Sequence, residues 1–399
     1  MEIILYILAV PVFLLLMGLE YLAARRRNID CYDMNDFANN LSCGLLEQVV
    51  NLPLKGLLIF SYYYIYQHYA YFHIDTKSPY SWLVLWIAAD FLYYWFHRAT
   101  HRNIFLWAGH AVHHQSTRYN FSVAVRQGIL QTLTGWVVYL PLAFIGFPTG
   151  MFIIVTTLIT FYQFWIHTTL ISRMGWFEKF FNTPSHHLVH HGKNQLYIDK
   201  NYGGSLIIWD KLFGTFEKES EPAEYGTTEP LNSWNPFYAN IKVIVDALYY
   251  AKFLNSAAPR ILIFFKPPEW IVNALGKDKF QSYQRPVIQQ PVHYSRAYVF
   301  INIMITVLFY SCYLLTYDND HLAGALLGFF ILVTLLQIAM VLKNGNVMKI
   351  LELLRGILLF GVMYVLFNSY AYVLLLIVCI YGLWIIVGDY KDKRNSINS

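Results

Sequence analysis

The chain runs as long apolar stretches divided by short polar breaks. It shows neither the two-residue alternation of half-buried strands nor the single apolar stripe of soluble helices. A helix that crosses the roughly 30 Å hydrocarbon core needs about 20 mostly apolar residues. Residues 3–22 meet that need and are closed by Arg25, Arg26 and Arg27. Glu2 precedes them and arginines follow, so they predict an uncleaved anchor with its N-terminus outside, not a secretory leader. Further spans are predicted over 41–64, interrupted by Glu47, Pro53 and Lys55, and over 82–97.

Residues 127–172 contain no Asp, Glu, Lys or Arg, and they are too many for one span. Gly146-Phe147-Pro148-Thr149-Gly150 supplies a turn near the middle, so a helical hairpin is predicted, with shallow re-entry as the alternative. Residues 297–317, 321–342, 350–367 and 369–388 bring the count to about nine spans.

Placing Arg25–Arg27 in the cytoplasm puts Arg98, Arg102, Arg118, Arg126, Arg173, Lys343 and Lys349 on that side too, as the positive-inside rule asks. The long polar segment between Ser172 and Arg296 then forms a cytoplasmic cap resting on the helices. Within it, Ile261-Leu262-Ile263-Phe264-Phe265 is too short to span and suits the membrane surface. The predicted fold is therefore all-α: a polytopic helical membrane protein with a cytoplasmic, histidine-rich cap. Its regions are N-terminal anchor spans (1–80), a histidine-rich catalytic region (81–220), a cytoplasmic or interfacial segment (221–296), and C-terminal spans with a short tail (297–399).

Composition agrees: 57% of residues are hydrophobic and 13% charged, against about 45–50% and about 25% in soluble domains. Those figures exclude disordered, coiled-coil, collagen-like and disulfide-rich secreted chains. A net charge of +5 is too small to suggest a nucleic-acid partner. Cys31, Cys43, Cys312 and Cys379 form no CxxC pair and give no sign of a thiolate metal site.

Histidine changes the picture. His97, His101, His110, His113 and His114 fall within 18 residues, and His186, His187, His190 and His191 within six. The spacings are H-x3-H, then H-x2-H-H twice. On a helix, positions i, i+3 and i+4 share a face, so each cluster can aim imidazoles at one point. All three clusters are assigned to one membrane face, as a composite metal site requires. Imidazole suits iron, zinc, copper and nickel alike. Eight histidines exceed the four ligands of a structural zinc and suit two metals, each with an open position. The absence of HExxH removes the simplest zinc-protease reading.

His167, one turn after Gln163, is a ninth candidate ligand or else a membrane-boundary histidine. Asp90, two turns before His97, suits orientation of a ligand imidazole; a polar contact between helices is the alternative. His186 lies off the spacing pattern. His68, His73, His293 and His321 are expected bystanders.

Several segments carry a resemblance: Tyr93-Tyr94-Trp95-Phe96-His97-Arg98, Trp107-Ala108-Gly109-His110, Tyr162-Gln163-Phe164-Trp165-Ile166-His167-Thr168 and Asn182-Thr183-Pro184-Ser185-His186-His187. His190-His191-Gly192, Ile198-Asp199-Lys200-Asn201-Tyr202, Ile208-Trp209-Asp210-Lys211 and Phe213-Gly214-Thr215-Phe216-Glu217 continue it. Together they resemble the membrane fatty-acid hydroxylase/sterol desaturase superfamily, most closely its alkylglycerol monooxygenase branch. The resemblance is specific over about residues 85–220; beyond them it rests on the pattern of spans and on length.

It implies three histidine boxes around a non-haem di-iron centre, hence two iron ions, with O2, an electron donor and a membrane lipid as reactants. For that branch it implies hydroxylation beside an ether oxygen, releasing fatty aldehyde and glycerol, with tetrahydrobiopterin as donor. No residue pattern here marks a pterin site. The alternatives are a hydroxylase or desaturase of a sterol, fatty acyl chain or carotenoid, and, outside enzymes, a metal transporter or structural-metal protein. Two departures stand out. Arg102 occupies a position where the branch is acidic, and Gln115-Ser116-Thr117-Arg118-Tyr119-Asn120 replaces a Ser-Ser-Glu run. The C-terminal residues carry no KDEL-type signal, so endoplasmic reticulum and bacterial inner membrane both fit.

Overall fold

The computed structural model describes residues 2–278, 280, 296–317, 319–341, 355–359 and 361. Among them no strand forms beyond an isolated bridge between Phe181 and Leu206. The N-terminal helix α1 covers Glu2–Arg26 and spans the predicted anchor. The second helix, α2 (Met34–Tyr69), is longer at both ends than the predicted 41–64 and carries Pro53 inside it. Asp33 starts it by accepting from the backbone N–H of Asn35 and Asp36, each at 3.0 Å.

The first half of α2 is polar yet buried, and neighbouring elements take up its polar groups. Asn40 donates to Ser122 Oγ at 2.9 Å, Asn51 to the Ile129 carbonyl at 3.0 Å, and Thr132 to Glu47 at 2.7 Å. These bonds are why an apolar helix tolerates carboxylates and amides on its inner face.

Helices α3 (Pro79–His101) and α4 (Ile104–His114) are joined by two residues, and the second of these, Asn103, caps α4 by accepting from the Leu106 N–H at 3.1 Å. After α5 (Phe121–Ala124), the helix α6 (Ile129–Gly135) continues through a 3-10 turn into α7 (Leu140–Ile145). Gly146 then reverses the chain into α8 (Thr149–Trp165). A Cβ at Gly146 would lie 2.0 Å from the Phe72 carbonyl oxygen, and φ is +116°, so only glycine fits this turn without strain. Two helical arms joined by this turn stand where the hairpin is predicted. The arms, Ile129–Ile145 and Thr149–Trp165, are each about 26 Å long at 1.5 Å per residue.

Short helices α9 (Pro184–His191), α10 (Ile208–Phe213), α11 (Pro236–Ala251), α12 (Ala257–Leu262) and α13 (Glu269–Leu275) occupy the segment read as a cap. Exposed Ile261, Leu262 and Phe265 give that segment the apolar strip expected there. Two long helices follow, α14 (Arg296–Thr316) and α15 (His321–Val341).

Among the described residues, three helices are long and apolar enough to cross a membrane by length and composition: α2, residues Tyr298–Thr316 of α14 and residues His321–Met340 of α15. The chain is thus a helical membrane protein. The spans predicted over 350–367 and 369–388, together with Cys379 and His293, lie almost wholly outside the described residues.

Two compact units form, one of Met1–Pro11 with Gln290–Ser399 and one of Val12–Gln289. In the first, Gln337 of α15 donates to the Tyr298 hydroxyl of α14 at 3.0 Å. In the second, Tyr62, Leu85, Ala89, Leu142, Phe147, Met151, Val155 and Ile159 form a core that packs α2, α3, α7 and α8 together. A neighbouring core sets Ile104, at the start of α4, against Ala247, Tyr250 and Ile263. These cores fix the ends of α3 and α4 beside α9, where the histidines meet.

Candidate metal centre

Consecutive residues on a helix are rotated by about 100°, so adjacent histidines cannot point the same way. The structure resolves the nine candidates accordingly into two groups. His97, His101, His110, His114 and His190 make the first; His113, His167, His187 and His191 make the second. Within each group the ligand-capable nitrogens lie within 4.8 Å of one another. Imidazole nitrogens about 2.1 Å from one ion lie about 3–4.2 Å apart, so this spacing fits a shared cation. All nine predicted residues take part, His167 included, and His186 does not.

The grouping corrects one expectation. The cluster at 110, 113 and 114 does not aim at one point: His110 and His114 serve the first group and His113 the second. The cluster at 187, 190 and 191 divides likewise, with His190 crossing to the first group. The groups adjoin, since the rings of His114 and His191 stack with centroids 4.4 Å apart.

Eight of the nine are only 2–6% exposed. Burial holds His110, His114, His187 and His191 well below the ordinary histidine range, His113 at about 4 and His190 at about 3. These imidazoles are therefore neutral, each with one bare lone pair.

Hydrogen bonds say which nitrogen is bare. His113 Nδ1 faces the Arg126 carbonyl at 2.9 Å, and His167 Nδ1 faces the Gln163 carbonyl at 2.6 Å. A nitrogen facing a carbonyl must carry the proton, so both Nε2 atoms are bare, yet they approach to 3.1 Å. Two lone pairs at that separation repel, and a cation between them turns the contact attractive. His97 and His110 repeat the arrangement. Their Nδ1 atoms face the Tyr202 carbonyl and Gln131 Oε1, each at 2.8 Å, while their Nε2 atoms stand 2.8 Å apart.

His190 Nδ1 faces the Lys200 carbonyl at 2.8 Å, leaving Nε2 buried with no partner among the described residues. His101 Nε2 is also buried without one. Orphaned buried nitrogens of this kind cost about 1–3 kcal/mol each. The donor set, its neutrality and its orphaned atoms all fit metal ions.

Asp90 does not orient an imidazole. Its carboxylate accepts from Ser205 N and Oγ at 2.6 Å each, from Leu206 N at 3.3 Å and from Trp209 Nε1 at 2.9 Å. It fastens α3 to the chain leading into α10, nearer to the polar contact held as the alternative. Apart from the Asp199 carboxylate, 3.9 Å from His101 Nδ1, the imidazole partners are instead four backbone carbonyls and Gln131. Of these only Gln131 has a side chain in contact, and neither periodicity nor composition signals it.

Arg102 pairs with Asp199 at 2.5 Å and Glu269 at 3.2 Å, and Arg118 pairs with Asp30 at 3.2 Å. Both cations that departed from the resembled pattern are thus neutralised by carboxylates from elsewhere in the chain. His186 meets Phe216 edge to face with centroids 5.3 Å apart. His68, His73 and His321 are exposed and belong to neither group.

Residues 82–215 match the family profile described as Fatty acid hydroxylase. Over 336 residues the chain is 37% identical to the alkylglycerol monooxygenase of Homo sapiens, covering 81% of this chain and 74% of that protein. Over 346 residues it is 33% identical to the alkylglycerol monooxygenase of Danio rerio, covering 82% and 74%. A more distant relative is the ornithine lipid hydroxylase OlsE of Rhizobium tropici, 32% identical over 138 residues, with 34% of this chain and 42% of that protein covered. No solved structure matches the chain.

Proposed function

Because the chain belongs to the alkylglycerol monooxygenase family, we propose that it is a membrane monooxygenase that cleaves the ether bond of alkylglycerols. Its nine grouped histidines are the metal ligands in this reading, five for one iron and four for the other. The observation that carries it is the pair of bare Nε2 atoms of His113 and His167 held 3.1 Å apart. Two iron ions with dioxygen supply the strong oxidant that an inert lipid C–H bond demands and side chains lack.

The protein's part is to hold and orient. Backbone carbonyls fix the tautomers of His97, His113, His167 and His190, so each presents a lone pair inward. Burial keeps the imidazoles neutral and excludes water. One oxygen atom of O2 enters the C–H bond beside the ether oxygen and the other leaves as water, with two electrons and two protons from the donor. The hemiacetal so formed collapses to fatty aldehyde and glycerol. Tetrahydrobiopterin is the proposed donor, on the strength of the resemblance. The ligand groups sit near helix ends, with the cytoplasmic face proposed as the side where reductant arrives.

A second reading, hydroxylation of another membrane lipid, draws on the likeness to the ornithine lipid hydroxylase. The test is to incubate membranes holding the protein with an alkylglycerol, dioxygen and tetrahydrobiopterin, against His113→Ala. Aldehyde that requires pterin and disappears in the variant supports ether cleavage. Iron-loaded protein that releases none removes that substrate and leaves the second reading.

A further inference from the structure

The two groups differ in what orients them. In the second group, His113 and His167 lean on the carbonyls of Arg126 and Gln163. In the first, His97 and His190 lean on carbonyls of one short segment, Tyr202 and Lys200. That segment is unusual. Asp199 and Asn201 both take positive φ, +61° and +55°, in the left-handed region that non-glycine residues visit at a cost. Something must hold it there.

The peptide plane explains how the hold works. In a trans peptide the N–H of one residue and the C=O of the residue before point in opposite directions, so anchoring the N–H aims the carbonyl. The Gly203 N–H is anchored on Asp210 Oδ2 at 2.7 Å, which turns the Tyr202 carbonyl the other way, onto His97 Nδ1. The Asn201 N–H is anchored on the Thr215 carbonyl at 3.0 Å, which turns the Lys200 carbonyl onto His190 Nδ1.

Two buried side chains lock both planes. Asp210 takes the Tyr202 N–H and the Thr215 hydroxyl on its other oxygen, each at 2.7 Å. Asn201 donates to the carbonyls of His186 at 3.0 Å and Glu217 at 2.8 Å and accepts from the Glu217 N–H at 2.8 Å. Both are 0% exposed.

We propose that Asp210 and Asn201 are positioning residues for the five-histidine group alone, setting His97 and His190 through the carbonyls of residues 202 and 200. The inference rests on the metal-binding reading of that group. It predicts a selective defect. Loss of either lock should weaken one iron and spare the other, whereas a merely structural role would weaken both together.

The experiment uses the full chain in detergent or nanodiscs, with Asp210→Asn and Asn201→Gly as separate variants; glycine keeps the left-handed backbone while removing the amide locks. Iron is titrated per chain, and Mössbauer spectra separate the two sites, with His190→Ala and His187→Ala assigning one doublet to each group. The expected result is a loss of affinity of about 10- to 100-fold in the five-histidine group, the range typical when a ligand's outer partner is removed. The four-histidine group should keep its wild-type affinity. Two irons bound at wild-type affinity, or both weakened alike in either variant, would overturn the proposal. Wild-type protein that takes up no iron would instead overturn the metal reading beneath it.

Discussion

Gly109 lies one residue before His110, where α6 crosses α4 at very close range. A Cβ at Gly109 would meet Gln131 N at 2.6 Å, Leu130 C at 3.0 Å and Gln131 Cα at 3.1 Å, all of them backbone atoms that cannot swing aside. In an open helix Gly→Ala stabilises by about 0.8–1 kcal/mol. Here the start of α6 must first retreat by about 0.8 Å, the shortfall from an ordinary 3.4 Å contact. Overpacking of this kind costs about 1–3 kcal/mol, so Gly109→Ala should lower stability by about 0–2 kcal/mol net. The larger effect falls on the site. Gln131 Oε1 moves with its backbone, and its 2.8 Å bond to His110 Nδ1 stretches to about 3.6 Å, past useful hydrogen-bond range. Iron affinity of the five-histidine group should fall about 10- to 100-fold. Iron titration, thermal unfolding and aldehyde release read this out together. Gly150→Ala, where no atom lies within 4 Å of the added Cβ, is the control: iron affinity and aldehyde release should stay unchanged, and the melt should not fall. A Gly109→Ala protein that binds two irons at wild-type affinity and melts unchanged would refute the chain of contacts from α6 to His110.

Other expectations follow from the same geometry. Arg126 is fully buried and bonds the Val112 carbonyl, Asn39, Asn40 and Gln115. Arg126→Met should cost about 3–5 kcal/mol in a denaturant melt, as when one partner of a buried charge network is removed. Arg102→Ala removes only exposed ion pairs, so it should cost less than about 1 kcal/mol and leave iron content intact. A fall in bound iron would show that its charge reaches the site. Chelation should lower the unfolding temperature. At free iron about 100 times Kd the bound ion contributes about 2.7 kcal/mol per site, and re-addition should restore the loss.

Eight of the nine grouped histidines were legible because their spacing is itself geometric: i, i+3 and i+4 along helices. His167 was legible too, from its place at the end of an uncharged hairpin. Their division into five and four was not. It depends on how α3, α4 and α9 are packed, and a sequence records neither axis nor crossing angle. Asp90 misled for a related reason. A carboxylate two turns from a histidine shares its helix face, but Ser205 and Trp209, far along the chain, reach it first. The carbonyls that set the tautomers leave no trace in residue identity, since every residue has one. Among the long helices, α2 ran past its predicted limits because buried partners satisfy Asp36, Asn39 and Asn40, which hydropathy alone counts against a span.

The interleaving of the two groups bears on the order in which the molecule can be completed. His97 and His101 leave the ribosome early, yet their group lacks a member until His190 is made, and the other group waits for His187 and His191. A chain stalled after Trp165 would carry four histidines of one set and a single one of the other. The two sets of nitrogens are not complete until residues 190 and 191 of 399 have been made, so loading waits for a nearly finished catalytic region. Adjacent histidines in α4 and α9 belong to different sets, so both helices must be in place before either set is whole. On the proposed metal reading, iron uptake would report that four separated pieces of the chain have found one another, and the holo state would double as a certificate of correct assembly.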